Sequence, residues 1–270
     1  MKNILVPTDF SKDAGNALEF ALSIANHLGS NITLLHTFEV SRPTGVLVNM
    51  EAYLRQDAEE RLAEIVELAK PKLNGKAHIQ SKVLEGDAVR LISDVADKHG
   101  YDLIVMGTKG AGGLKEIFIG STTNGVMKRS KKPVLAIPAA CRYRPIHKIV
   151  LALDTEDVHS PIEIRPLVEL ARAYNAKILV YHLDAGIDDE GIDPTIDIFL
   201  GQVAHSFHYE LNSAEINDAI GSFAADQQAE MLCMIRRHRS FMEEIFHISA
   251  TSQEAFHGNR PLLVLKEQTE

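Results

Sequence analysis

The sequence predicts two tandem α/β domains, each a doubly wound parallel sheet of five strands in the order 3-2-1-4-5. Three observations carry this reading. The chain is an internal repeat: "KNILVPTD" from Lys2 and "HKIVLALD" from His147 open the two halves alike, and residues 77–138 align without a gap on 205–266. Each half alternates short apolar runs with amphipathic helical patterns, which implies a parallel sheet with helices on its faces. Runs such as "LIVM" and "VLAI" are almost continuously apolar, as strands covered on both faces require. At 270 residues the chain is comfortable for two domains, each large enough to bury a core.

The elements of the first half follow in order. Strands are expected over Asn3–Thr8, Ile32–Phe38, Ile79–Leu84, Leu103–Met106 and Val134–Ile137. Leu18, Ala21, Leu22, Ala25 and Leu28 mark the apolar face of the first helix, and Leu167, Leu170, Ala171 and Tyr174 mark its counterpart in the second half. "ITLLHTF" and "KILVYHLD" are matching second strands, with His36 against His182. The halves differ in the middle. Residues 39–76 carry a long helical pattern around "YLRQDAEERLAEIVELAK", where the second half has a shorter acidic loop, "DAGIDDEGIDPTIDIFLG". Domains of 1–138 and 147–270 are expected, joined by a linker over 139–146.

Composition narrows the function. The charge balance of −9 disfavours binding to nucleic acid or an anionic membrane. The two cysteines, Cys141 and Cys233, have no metal-type spacing, and a reducing cytoplasm is the simplest setting. "MKNILVPTDF" is broken by Pro7 and Asp9 and does not read as a signal peptide. No apolar run approaches the ~20 residues of a membrane span.

The chain reverses direction between strands one and four, and in open α/β sheets ligands bind outside the strand carboxyl ends at such a point. "PTD" (7–9) and the glycine-rich "GTKGAGGLKEIFIGST" (107–122) therefore meet in one crevice. The second stretch is not a P-loop, because Lys109 precedes Gly110 and no GxxxxGK[ST] string exists. Nor is it a dinucleotide fingerprint, since Gly110-Ala111-Gly112 follows the fourth strand and lacks the third glycine. It reads as a two-part anion site. Gly107 and Gly110 free backbone amides past a strand, while Gly120, Ser121 and Thr122 open a helix whose unpaired N–H groups can cradle phosphate. Lys109 adds charge. The plainer alternative for Asp9 is that it, or Ser11, caps the following helix.

The spacing G-x2-G-x9-G-[ST] over Gly107, Gly110, Gly120 and Ser121 resembles the ATP-binding signature of the universal stress proteins. So do "ILVPTDFS", "LLHTF" and "DLIVMGTKGAGGLKEIFIGST…KKPVLAIP". The resemblance covers 1–138 with motifs and 147–266 as pattern alone. It implies the Rossmann-like adenine nucleotide alpha hydrolase type of fold, and ATP or AMP, with or without Mg²⁺, held in the first domain only. It implies that Asp9 contacts the nucleoside, with Pro7 and Thr8 lining that edge. Thr37 meets the adenine through its backbone, Met106 and Gly107 flank the ribose, and Lys109, Gly110, Gly120, Ser121 and Thr122 hold the phosphates. Lys109 stands where histidine or arginine is common in the family. The role implied is a cytoplasmic stress-response or signalling module.

In the second half, Ile235, His238 and Ile248 occupy the three glycine positions, and Arg236, Arg237 and Arg239 lie between them. Isoleucine narrows backbone freedom and puts side-chain atoms where phosphates would approach. Asp154 survives, but this half is expected to keep the fold without the site, its arginines forming a solvated loop or gripping another anion. His36 and His182 read as packed strand residues, and His205, His208, His238, His247 and His257 make no metal spacing. "KRSKK" (128–132) ends a helix, where cations suit the dipole.

No catalytic constellation is legible: there is no GxSxG, HExxH or paired-carboxylate spacing. Activity is expected to reach weak ATP hydrolysis at most. The alternatives to a nucleotide-regulated module are an interaction scaffold without nucleotide dependence, or a slow ATPase. The fifth strands, "PVLAIP" and "PLLVLK", are edges that need a partner, and an intramolecular pairing of the two domains is expected, with a homodimer open beyond it.

Overall fold

The structure is a computed structural model and describes residues 1–40, 50–75, 77–108, 120–153, 160–184, 195–211, 216–236 and 260–266. These fall into two compact units, divided between Lys132 and Pro133.

The first unit begins with β1 (Asn3–Pro7), whose Ile4, Leu5 and Val6 are buried. The ladder outlasts the strand by one bond, because the Thr8 N–H still donates to the Leu35 carbonyl at 2.9 Å. Ser11 then starts α1 (Lys12–Leu28) by accepting the Ala14 N–H on its hydroxyl at 3.1 Å. The helix stops at Gly29, which takes the left-handed conformation at φ 68°. β2 (Asn31–Phe38) returns parallel to β1, Asn31 beside Asn3.

α2 (Met50–Ala69) buries only a narrow stripe of Ala58, Leu62, Val66 and Ala69. Its polar side carries one-turn ion pairs, Arg55–Glu51 and Arg61–Asp57, each at 3.7 Å. Such exposed pairs are worth about 0.3–0.5 kcal/mol, so packing of the stripe holds the helix in place. A short 3-10 turn, Lys70–Lys72, leads on to β3 (Ile79–Glu85). Asp87 caps α3 (Ala88–Lys98) by accepting the Arg90 N–H at 2.8 Å. β4 (Leu103–Gly107) lies on the other side of β1, and α4 (Ser121–Arg129) completes the unit. A Cβ on Gly125 would stand 2.7 Å from a Val89 methyl, so glycine lets α4 close on α3. The strand order is β3-β2-β1-β4, all parallel.

The second unit opens with β5 (Val134–Ile137) and β6 (Lys148–Leu153). α5 (Pro161–Tyr174) is capped by Ser160 and closed by Asn175 at φ 51°. Asn175 thus does in this repeat what Gly29 does in the first, as the residue after glycine most tolerant of that conformation. β7 (Lys177–Asp184), α6 (Thr195–Leu200), β8 (His205–Leu211), α7 (Ile216–Asp226), β9 (Met231–Arg236) and β10 (Leu262–Lys266) follow. The order β8-β7-β6-β9-β10 is the 3-2-1-4-5 arrangement in full, again parallel. β5 adds to its far edge in the antiparallel sense, with Leu262 beside Ala136, Leu263 beside Leu135 and Val264 beside Val134.

One expectation from the sequence differs from the structure. The acidic stretch after β7 was expected to be loop throughout, yet it contains α6, fixed by burial of Ile196 and Leu200 one turn apart. In the linker, Cys141 and Ile146 are both buried.

Candidate functional site

The carboxyl ends of β1, β2 and β4 lie side by side in the first unit. The β1–α1 loop is fixed by its own polar side chains. Thr8 Oγ1 accepts the Phe10 N–H at 3.1 Å, and Asp9 Oδ1 accepts the Ser11 N–H at 3.0 Å. Asp9 is therefore not the helix cap; that role belongs to Ser11, and the exposed Asp9 carboxylate belongs to the turn before it. Between them Phe10 stands at φ 63°, a region that bulky residues rarely enter and that costs on the order of 1–3 kcal/mol.

β2 braces this loop. The His36 ring donates from Nδ1 to the Thr8 carbonyl at 2.8 Å, which fixes its tautomer, and its centroid lies 4.4 Å from that of Phe10. The guanidinium carbon of Arg61, on α2, sits 3.8 Å from the Phe10 ring centroid. Such a cation–π contact contributes about 0.5–2 kcal/mol, comparable to the backbone strain it opposes. Thr37 follows His36 in the strand and is half-buried.

β4 is joined to the start of α4 by two bonds. The Gly120 N–H donates to the Thr108 carbonyl, and the Thr123 hydroxyl donates to the Gly107 carbonyl at 2.7 Å. Gly120 caps α4 without any side-chain hydrogen bond, so the first-turn N–H groups gain no cap from it. Ser121 is exposed there, and Thr122 half-exposed. Gly107 has a packing reason to be glycine: a Cβ would stand 3.0 Å from the Asp13 carbonyl oxygen in the first turn of α1.

The structure thus places Pro7, Thr8, Asp9 and Thr37 at the carboxyl ends of β1 and β2, with Met106, Gly107, Gly120, Ser121 and Thr122 at the end of β4 and the start of α4. Met106 is buried. Lys109 and Gly110 lie outside the described residues, as do Asp154, Arg237, His238, Arg239, Ile248 and the Arg236 side chain of the second repeat. Ile235, at the first glycine position of that repeat, is a buried residue of β9. Phe10 and Arg61 were not singled out in the sequence. Their contact joins a loop to a distant helix and leaves no local pattern.

At Gly120, among the described residues, no side-chain hydrogen bond caps the first turn of α4, a helix end suited to an anion, and the exposed Asp9 carboxylate follows the end of β1. Among the described residues, no group of three His, Cys, Asp or Glu side chains is placed to hold a metal ion. Both cysteines are buried: desolvation raises the Cys141 thiol to about 11 despite Arg144, Arg142 and Arg260 nearby, and raises the fully enclosed Cys233 well above its ordinary value. Neither thiol is activated. Among the described residues, no helix is long and apolar enough to cross a membrane.

A family model described as the universal stress protein family matches residues 1–138. The chain belongs to this family. One universal stress protein from Methanocaldococcus jannaschii is 31% identical over 152 residues, covering 50% of this chain and 94% of that protein. A second from the same organism is 30% identical over 141 residues, covering 50% of this chain and 81% of its own length. A solved universal stress protein from Archaeoglobus fulgidus matches 98% of both chains with a TM-score of 0.74 at 20% identity. At that identity the likeness is one of fold, and it spans both halves of the chain.

Proposed function

We propose that the first repeat binds one adenine nucleotide, ATP or AMP, at the carboxyl ends of β1, β2 and β4. The observation that carries this is the double bond of α4 to β4, Gly120 to Thr108 and Thr123 to Gly107. It sets a helix N-terminus without a side-chain cap at the end of β4, the sheet neighbour of the strand that leads to Asp9. Asp9 then accepts from the nucleoside hydroxyls, the Thr37 backbone meets the base, and the amides at Gly120, Ser121 and Thr122 receive phosphate oxygens, with Lys109 and Gly110 closing that end.

Magnitudes say what else such a site needs. A helix terminus supplies at most ~2 kcal/mol, whereas micromolar affinity requires about 8 kcal/mol. Several backbone donors and burial of the base must supply the difference, which favours a nucleotide over free phosphate. Mg²⁺ would arrive on the phosphates. Of the described residues proposed for the site, Asp9 alone has a carboxylate to offer it, and turnover should be slow at most. The protein's role is then that of a cytoplasmic stress-response or signalling module whose output is a change of conformation.

A second reading, an interaction scaffold, is favoured by the antiparallel pairing of β5 with β10. This pairing joins the fifth strands of the two repeats within one chain. Mass spectrometry of small molecules released from the purified protein separates these readings. ATP or AMP recovered in near-stoichiometric amount is expected. Protein that carries no nucleotide and takes up none when ATP is added would favour the scaffold, and rapid release of ADP would favour an ATPase.

A further inference from the structure

We propose that Arg61 is a positioning residue for the nucleotide site: it latches α2 onto Phe10 and so holds the loop that presents Asp9, without touching the ligand. The functional consequence rests on the nucleotide reading above; the latch itself rests on geometry.

A bulky residue stays in the left-handed region only where its surroundings over-determine it. Among the described residues, Phe10, at φ 63°, has three such restraints. Its N–H is held by Thr8 Oγ1 at 3.1 Å. Its ring lies 4.4 Å from that of His36, which is pinned to the Thr8 carbonyl. Arg61 lies over the ring at 3.8 Å, well inside the ~6 Å reach of a cation–π contact. Of the three, only Arg61 comes from outside the β1–β2 pair, so it ties the loop to the helix layer.

Asp9 sits between two of these held groups. Its peptide leads into Phe10, and its carboxylate accepts the Ser11 N–H at 3.0 Å, so its direction follows the loop. Arg61 has a charge partner on its own helix, Asp57 at 3.7 Å, and both side chains are about half exposed. Its cation is already balanced locally, which suits a strut better than a phosphate ligand. A difference between the repeats points the same way. Among the described residues, the half with the glycine motif has the twenty-residue α2, whereas the half without it has α6 (Thr195–Leu200) between β7 and β8.

The test uses the full chain and the variants Arg61→Ala, Arg61→Lys and Phe10→Leu. Amide hydrogen exchange at Phe10 and Ser11 should quicken about tenfold in Arg61→Ala, with β1 unchanged. Affinity for AMP and for ATP should fall by the same factor, about fivefold. Arg61→Lys, which keeps a cation over the ring, should recover most of the loss. Adding Arg61→Ala to Phe10→Leu should cost nothing further. Unchanged exchange at Phe10 and Ser11 overturns the latch whatever the nucleotide does. A loss much larger for ATP than for AMP overturns the positioning role and makes Arg61 a direct phosphate contact. Wild-type protein that binds neither nucleotide contradicts the nucleotide reading instead, and the exchange result still decides the latch.

Discussion

Gly120→Ile should lower nucleotide affinity by more than about a hundredfold, equivalent to ~2.7 kcal/mol, while leaving the fold intact. The backbone at Gly120 has φ −55° and ψ 153°, open to any residue, so glycine is not required there for its conformation. The expectation from sequence that isoleucine would cost backbone freedom therefore does not apply at this position. What remains is access. A β-branched side chain at the helix cap stands over the first-turn amides of α4, where phosphate oxygens would sit. Its N–H can still reach the Thr108 carbonyl, and the second repeat already carries Ile248 at the aligned place. The loss of a tolerated cap should cost stability ~1 kcal/mol or less. Calorimetric titration with ATP, beside a thermal melt, checks both halves of the expectation. Unchanged affinity in a folded variant would mean that the start of α4 is not the phosphate site.

Gly107→Val should behave in the opposite way and act on stability first. A Cβ there meets the Asp13 carbonyl oxygen at 3.0 Å and its carbonyl carbon at 3.1 Å. These are backbone atoms in the first turn of α1, which cannot rotate aside as a flexible side chain would. The branched methyl groups add to the conflict. Overpacking of this kind typically costs 1–3 kcal/mol, and the upper part of that range is expected because a helix must shift. Denaturant unfolding reads the loss directly. A variant as stable as the parent would show that α1 and β4 can separate freely, and would leave Gly107 with no structural reason to be glycine. The two substitutions therefore divide the motif: its first glycine serves packing, and Gly120 is the one proposed to serve the ligand.

The repeat and its strands were legible because buried parallel strands write continuous apolar runs and their ends carry turn residues. The adjacency of the β1 and β4 strands, which lead to Asp9 and to Gly107, was legible from topology alone, since strand order fixes which strand ends are neighbours. α6 was not legible: six residues with two buried apolar positions are too short to establish a helical period among acidic neighbours. The Phe10–Arg61 stack was hidden for another reason. Arg61 lies on the polar side of α2, where a charged residue reads as solvated, and only tertiary contact shows its ring partner. The demand for glycine at residue 107 is likewise set by a residue remote in sequence, Asp13.

The central claim is that one repeat keeps a nucleotide site and the other keeps only the fold. Calorimetric titration of the full chain with ATP tests it most directly. The account predicts a single class of site with one nucleotide bound per chain, lost in Gly120→Ile. Two equivalent sites per chain, or one site that persists in Gly120→Ile, would contradict it.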